Sequence, residues 1–464
     1  MRTYKVKVNQ NEIPVSKMRV SAMPFNKVFD GTQRPLSQTE EAYYVSIDMS
    51  EAIELEILVE EDFTDYEIRP LCYELSDKRV GNKVFLTVDR PMQFTFEADG
   101  YHHALHVFVN SKSVKPEGDC IYYGKGEHDA GLIWLESNQT LYLEEGATVY
   151  GVVYAKDAHN VKIMGRGVLD ASRYRRNDDT NSSGSEILDA LEEKGFVDAD
   201  RRYAGNLALN HCKDVLVEGV ILKDAPLWSL IVRDNCQNIT IDNVKVIGQW
   251  RYNSDGIDIC TSQNVVVKNC FVRSFDDCFV ARGAYLNGEE GNVENVLVEN
   301  CVFWCDWGKS LEIWCGQKPT TIRNIVFNNN YLIRLNCAAM NITTWYGSEN
   351  SVVENITYRN MYIDGDEIYM NAQVESAENP TYTFKPGFIP LIVHLYAQKL
   401  GKMGQLGAQI HEESDLSNHH LHYRNISYEN IYCNDSKLRV KVEEIEDVLK
   451  IENITTRNVS FSID

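Results

Sequence analysis

Long apolar runs are missing from this chain: no stretch approaches the roughly 20 apolar residues that cross a bilayer, and the opening residues MRTYKVKVNQ carry no apolar signal segment. A membrane partner is therefore not expected, and the cytoplasm is the expected compartment. Basic patches are missing as well. Lys and Arg number 46 against 68 Asp and Glu, a net charge of −22 spread over both halves. Phosphate backbones recruit clustered cations, so no nucleic-acid partner is expected and the acidity reads as a well-solvated surface. Among the twelve cysteines there is no CxxC pair, and several fall at repeat positions expected to be interior, so they read as reduced core thiols. The histidine clusters YHHALH (101–106) and NHHLHY (418–423) lack a further ligand at metal-binding spacing. They read as surface or packed histidines, with neither a metal nor an organic cofactor expected.

What the chain has instead is repetition. With 464 residues, 44% of them apolar, it can build two packed domains or one elongated repeat structure. A six-residue phrase recurs: Asn or Asp, an aliphatic residue, a variable one, an apolar one, a variable one, then Asn or Gly. It reads DVLVEG from Asp214, NITIDN from Asn238, NVVVKN from Asn264, NVLVEN from Asn295, NIVFNN from Asn324, NITYRN from Asn355, NISYEN from Asn425 and NITTRN from Asn453. Successive starts lie 24 to 31 residues apart, except for one step of 70. Apolar and polar residues alternate within each phrase, the period of a strand with one buried face, which excludes a helical solenoid.

Each phrase then marks one coil of a right-handed parallel β-helix, about three short strands per coil, stacked at about 4.8 Å. Equivalent interior residues should form ladders, Cys270 above Cys301 among them. Asn at the turns suits a left-handed backbone and explains an Asn ladder without any functional role. The 70-residue step, and the 54 residues from Asn160 to Asp214, exceed one coil, so the stretches 172–204 and 366–420 are read as extra loops beside a groove. Residues 1–115 lack the Asn phrase. They show alternating strands (YKVKV, YYVSIDM, IELEILV, KVFLTV, QFTFEA, ALHVFV) between polar turns, the pattern of a small N-terminal β-sandwich. The expected architecture is all-β: this sandwich, followed by a β-helix over residues 116–464.

Residues 252–283 break the rule that solenoid strands are bland outside. Asp255 precedes Asp276 by 21 residues and Asp277 by 22, close to one coil, so the three carboxylates should sit on neighbouring rungs. Crowded carboxylates repel; one is expected to keep its proton as a general acid while another stays ionised as a base. Glycoside hydrolysis needs that combination. Spacing alone leaves open a solvated acidic edge or a calcium site. Asp258 would point outward beside the three or cap a turn.

NSDGID (253–258) followed by FDDC (275–278) resembles the paired motifs of glycoside hydrolase family 28, the polygalacturonases, and those of the related family 49 dextranases and isopullulanases. The resemblance extends over residues 120–464, including GRGVLDAS from Gly165 and ENITYRNMYID from Glu354, and the N-terminal sandwich is similar to the domain arrangement of family 49. It implies that Asp276 is the general acid protonating the glycosidic oxygen and that Asp255 and Asp277 hold and deprotonate the attacking water. That is an inverting mechanism, in which acid and base stand roughly 6.5 to 9.5 Å apart.

Two departures from the pattern bear on the substrate. Where the polygalacturonases carry Gly-His-Gly, this chain has Gly308, Lys309 and Ser310; where they carry Arg-Ile-Lys before a threonine, it has Asn341, Ile342, Thr343 and Thr344. Both cations that grip a uronate carboxylate are gone, so the expected substrate is a neutral or modified oligosaccharide, with a pectin-fragment hydrolase as the alternative. The expected substrate-binding residues are Asn253, Asp258, Arg282, Lys309, Glu312, Trp307, Asn341 and Trp345. The two tryptophans, preferred among six in the solenoid region, would serve as sugar platforms. A lyase on the same fold and a non-catalytic glycan-binding β-helix remain alternatives.

Overall fold

The computed structural model describes residues 2–22, 36–174, 176–177, 182–183, 185–194, 205–284, 290–316, 318–344, 350–365, 391–397, 420–434 and 439–463. All six strands expected in the N-terminal region are present: Tyr4–Val8, Thr39–Met49, Ile53–Val59, Lys83–Val88, Met92–Ala98 and Leu105–Ser111. With shorter strands they form two five-stranded sheets. Alternation such as IELEILV buries Ile53, Leu55, Ile57 and Val59 between the sheets, against Phe94, Phe96 and Val107.

From Ile121–Tyr123 onward, 27 strands among the described residues join into one continuous parallel sheet, each pairing with its equivalent one coil later. This is the right-handed parallel β-helix, with three faces. The first carries the Asn phrases (Lys213–Glu218, Gln237–Asp242, Gln263–Lys268, Val293–Glu299). A second follows at once (Ile221–Lys223, Lys245–Ile247, Phe271–Ser274, Val302–Cys305). The third closes the coil (Leu230–Arg233, Ile257–Cys260, Phe279–Arg282, Lys309–Trp314, Ala338–Thr344, Leu391–Ala397).

Ladders run inside and at the corners. Phe327, Tyr358 and Tyr428 stack with centroids 4.7 and 5.2 Å apart and nearly parallel rings. The backbone N–H of Cys270 points at Cys301 Sγ at 3.4 Å, and all twelve cysteines are free. Every phrase-opening residue from Asp214 to Asn453 has φ between 55° and 59°, and each Asn donates its amide to the residue one coil before, as from Asn295 to Asn264 at 3.0 Å. The left-handed turn and the side-chain ladder account for the recurring Asn together.

The sandwich sits on the outer side of the second face. Met18, Val20, Tyr44, Tyr101, Ala104 and Phe108 pack against Ile221, Ile247, Phe271, Val302, Trp304 and Ile333. Two ion pairs are buried in this seam: Arg334 with Glu97, and Arg273 with Asp306 at 3.5 Å. Of the two long insertions, the helix Ser185–Glu193 seats Leu191 in a cluster with Tyr154 and Trp228. Most of both insertions lies outside the described residues.

Candidate active site

The site forms where the second face turns into the third. In the third-face strands Ile257, Ile259, Phe279 and Ala281 point into the core, which leaves Asp258, Val280 and Arg282 outside. Ile257 pairs with Phe279, and the backbone N–H of Gly256 donates to Asp277 O at 2.8 Å. This register sets Asp255 beside Asp277 on consecutive rungs. One further rung carries Lys309 and Glu312, with Val280 opposite Glu312, and the next carries Asn341 opposite Glu312. Winding the chain once thus gathers Asp255, Asp258, Asp276 and Asp277, as their spacing predicts.

They are not a solvated edge. Asp255, Asp258 and Asp277 are 2%, 0% and 7% exposed, whereas Asp276 meets solvent in part. Arg282 holds the two deepest: its guanidinium donates to Asp255 Oδ2 at 3.0 Å and to Asp258 Oδ1 at 2.9 and 3.2 Å. The indoles of Trp228 and Trp314 lie over the same guanidinium at 4.3 and 4.5 Å. Asp277 Oδ1 accepts the backbone N–H of Lys309 at 2.7 Å and lies 3.6 Å from its ammonium, which is also 3.6 Å from Glu312 Oε2. Asn253, at φ 56°, directs its amide to Asp276 Oδ2 at 3.4 Å.

Five carboxyl groups therefore share two cations, and burial penalises every charge. Burial, reinforced by Asp277, pushes the Asp276 carboxyl up to about 7. Burial raises Asp258 to about 6 against the pull of Arg282, and raises Glu312 to about 8 against the pull of Lys309. Asp255 also lies well above the ordinary carboxylate range, by burial and then by repulsion from Asp258, Asp276 and Asp277. Burial works against the Lys309 cation, but Asp277 and Glu312 more than offset it and raise its pKa. At neutral pH the cluster holds protons and negative charge together, which acid–base chemistry requires.

Gly308 is the spacer that lets the carboxylates approach. A Cβ there would stand 2.4 Å from Asp277 Oδ1 and 2.6 Å from Asp276 Oδ1. Gly308→Ala is therefore expected to push the two carboxylates out of position and lower kcat by about 100-fold, and to lower the melting temperature as well, because the Cβ would also stand 2.7 Å from the Asp277 backbone N. Turnover beside thermal unfolding checks this; an Ala variant with parental kcat would show that the spacing has no bearing on turnover.

Among the expected sugar platforms, Trp307 is half-buried and stacks on Phe275 at 5.6 Å, while Trp345 lies outside the described residues. Trp304 is wholly buried in the seam with the sandwich, and Trp250 donates to Asp224. Arg282, expected to bind substrate, has its guanidinium engaged by two carboxylates and two indoles. His394 and Tyr396 were not foreseen. They lie on the rung beyond Asn341 and Thr343, half-buried and stacked at 3.8 Å. They fall in the 70-residue step where the phrase lapses, so no repeat signal marked them.

The fold is a parallel β-helix whose third face carries a buried cluster of carboxyl groups. A family model described as Glycosyl hydrolases family 28 matches residues 129–374, more than half of the chain, and the chain belongs to that family. It is 27% identical over 146 residues to a probable polygalacturonase of Arabidopsis thaliana, and 24% identical over 252 residues to an exo-poly-α-D-galacturonosidase of Dickeya chrysanthemi. These matches take in 26% and 46% of this chain; it spans only 32% and 39% of the length of those relatives. The solved structure of Dex49A from Penicillium minioluteum superposes with a TM-score of 0.61 at 14% identity, over 97% of this chain and 88% of that one, a likeness of fold that includes the N-terminal region.

Proposed function

We propose that the protein hydrolyses a glycosidic bond in a neutral oligosaccharide by single displacement with inversion. Asp276 protonates the glycosidic oxygen, and Asp255 with Asp277 orients a water and takes its proton as it attacks the anomeric carbon from the opposite face. The observation that carries this reading is the arrangement of the cluster. Asp276, partly exposed and raised to about 7, stands beside the buried Asp255, held by Arg282, and the buried Asp277, held by the Lys309 backbone N–H.

The preference for an uncharged sugar rests on what stands where uronate-binding cations are missing. Asn341 donates to Glu312 at 2.7 Å, and Glu312 Oε1, Asn341 Oδ1 and Thr343 Oγ1 find no hydrogen-bond partner among the described residues. Acceptors suit sugar hydroxyls. Glu312, raised to about 8, is largely protonated at neutral pH and can donate to a sugar hydroxyl as well as accept from one. A uronate carboxylate would find the nearby Lys309 ammonium already engaged by Asp277.

A panel of neutral and uronic oligosaccharides, with product anomers followed by NMR, tests the proposal. Neutral substrates are expected to turn over and release the inverted anomer first. Faster turnover of uronic substrates would overturn the sugar assignment, an unsaturated product absorbing in the ultraviolet would indicate a lyase, and binding without turnover would leave a glycan-binding protein. The pH profile follows from Asp276: the acid works only when protonated, so kcat/KM is expected to fall as pH rises through about 7. A rate still rising between pH 7 and 9 would remove Asp276 from that role.

A further inference from the structure

The sandwich borders two corners of the coil, and only one of them is the acidic site. At the other, between the first and second faces, a second Asn ladder runs along the helix: Asn269 donates to Asp242 at 2.8 Å, Asn300 to Asn269 at 3.5 Å and Asn329 to Asn300 at 2.8 Å. The phrase-opening ladder, from Asp214 to Asn453, is built the same way and has exposed side chains along its length. The second ladder is also exposed at Asn269 and Asn300; what sets it apart is the sandwich standing beside it. Between them lies a cleft of about 410 Å³, with Asn243, Asn269, Asn300 and Asn329 on one side and Arg90, Gln93 and Lys112 on the other.

Two observations point to a ligand. Gln93, which lines the cleft, is 6% exposed and donates to Asn243 Oδ1 at 2.9 Å and to Asn269 O at 2.6 Å; its buried Oε1 has no partner among the described residues. A buried acceptor in that state carries a desolvation cost that a donating ligand relieves. Tyr73 meets Tyr331 edge-on at 4.9 Å at one end of the cleft, an aromatic surface beside a row of amides. Amides, which both donate and accept, and carboxylates, which accept, repeat every 4.8 Å or so and match the hydroxyl pattern of a chain of pyranoses.

We infer that this cleft is a second, non-catalytic site for an uncharged linear oligosaccharide lying along the helix axis. Most of its charges are matched within the protein, which favours a neutral ligand: Arg166 is taken up by Asp48 and Glu218, Asp242 pairs with Lys268, and Arg90 pairs with Asp89, leaving Lys112 as the cation on the wall without an ion pair among the described residues. The site would hold a glycan against the enzyme while another segment enters the acidic groove.

The inference is independent of which carboxylate is the acid, and its test is arranged accordingly. Asn269 and Asn300 both have φ 55°, so Asn269→Gly with Asn300→Gly removes two amides without backbone strain. Neutral gluco-, galacto- and xylo-oligosaccharides are titrated calorimetrically into the Asp276→Asn protein, with and without the paired glycines. Two molecules bound per chain are expected for at least one ligand, falling to one with the glycines, while the glycine pair on the parent background keeps its turnover of short substrates. A stoichiometry of one or none throughout, or binding that the glycines leave unchanged, would overturn the second site. Turnover of the same panel by the parent reports on the acidic groove separately.

Discussion

Asp276→Asn is expected to lower kcat on natural oligosaccharides by 10²- to 10⁴-fold, the usual contribution of a positioned acid, with a small change in KM. The neutral amide keeps the shape of the carboxyl and can still accept the Asn253 amide, but it has no proton to give the leaving oxygen. The loss should therefore depend on the leaving group. An aryl glycoside whose phenolate departs without protonation is expected to be hydrolysed nearly as fast by the variant as by the parent. Stability supplies a second readout. A carboxyl raised above its unfolded value stabilises the fold below the unfolded pKa, and that contribution is lost as pH rises through the folded value of about 7. Removing the carboxyl should leave the melting temperature at pH 8 unchanged or higher. Equal turnover of natural substrates by variant and parent would defeat the assignment, and a lowered melting temperature at pH 8 would place Asp276 in the scaffold instead.

Much of this was readable from residue spacing. A parallel β-helix repeats at nearly constant length, so the Asn phrases set the register of one face and, through it, of the other two. Asp255 could be set beside Asp277 by counting, and Ile257 pairing with Phe279 is the physical expression of that count. The interior thiols followed from the same periodicity. Three things did not follow. Arg282 lies on a strand with its charge outward, and nothing in the local sequence says that it turns toward Asp255 and Asp258 between two indoles that come from other coils. Trp304 carries the same strand signature as an exposed sugar platform, yet the sandwich covers it, because domain docking leaves no periodic trace. His394 and Tyr396 pair in register with Asn341 and Thr343 across an insertion of arbitrary length, which counting cannot bridge.

Arg282→Gln is expected to be the other severe substitution, for a reason that separates it from Asp276. Its guanidinium is the cation that contacts Asp255 and Asp258 among the described residues, and both carboxyls are almost wholly buried. Removing one partner of such a pair costs roughly 3 to 5 kcal/mol when the other charge stays, a cost the cluster escapes by taking up protons. A protonated Asp255 cannot accept a proton from water, so kcat should fall by at least 10²-fold near pH 6. The acidic limb of the pH profile should move upward, since the base now ionises only at higher pH. The limb separates positioning from mere structural support: damaged packing would lower the rate at every pH alike. Arg282→Lys provides the control where the glutamine variant folds poorly. A single ammonium replaces one charge but not the fork that reaches both carboxylates, so partial recovery of rate with a smaller displacement of the limb is expected. A glutamine variant with the parental pH profile would mean that Arg282 does not set the protonation of Asp255, and the water-activating role would then fall to Asp277 and the Lys309 contacts alone.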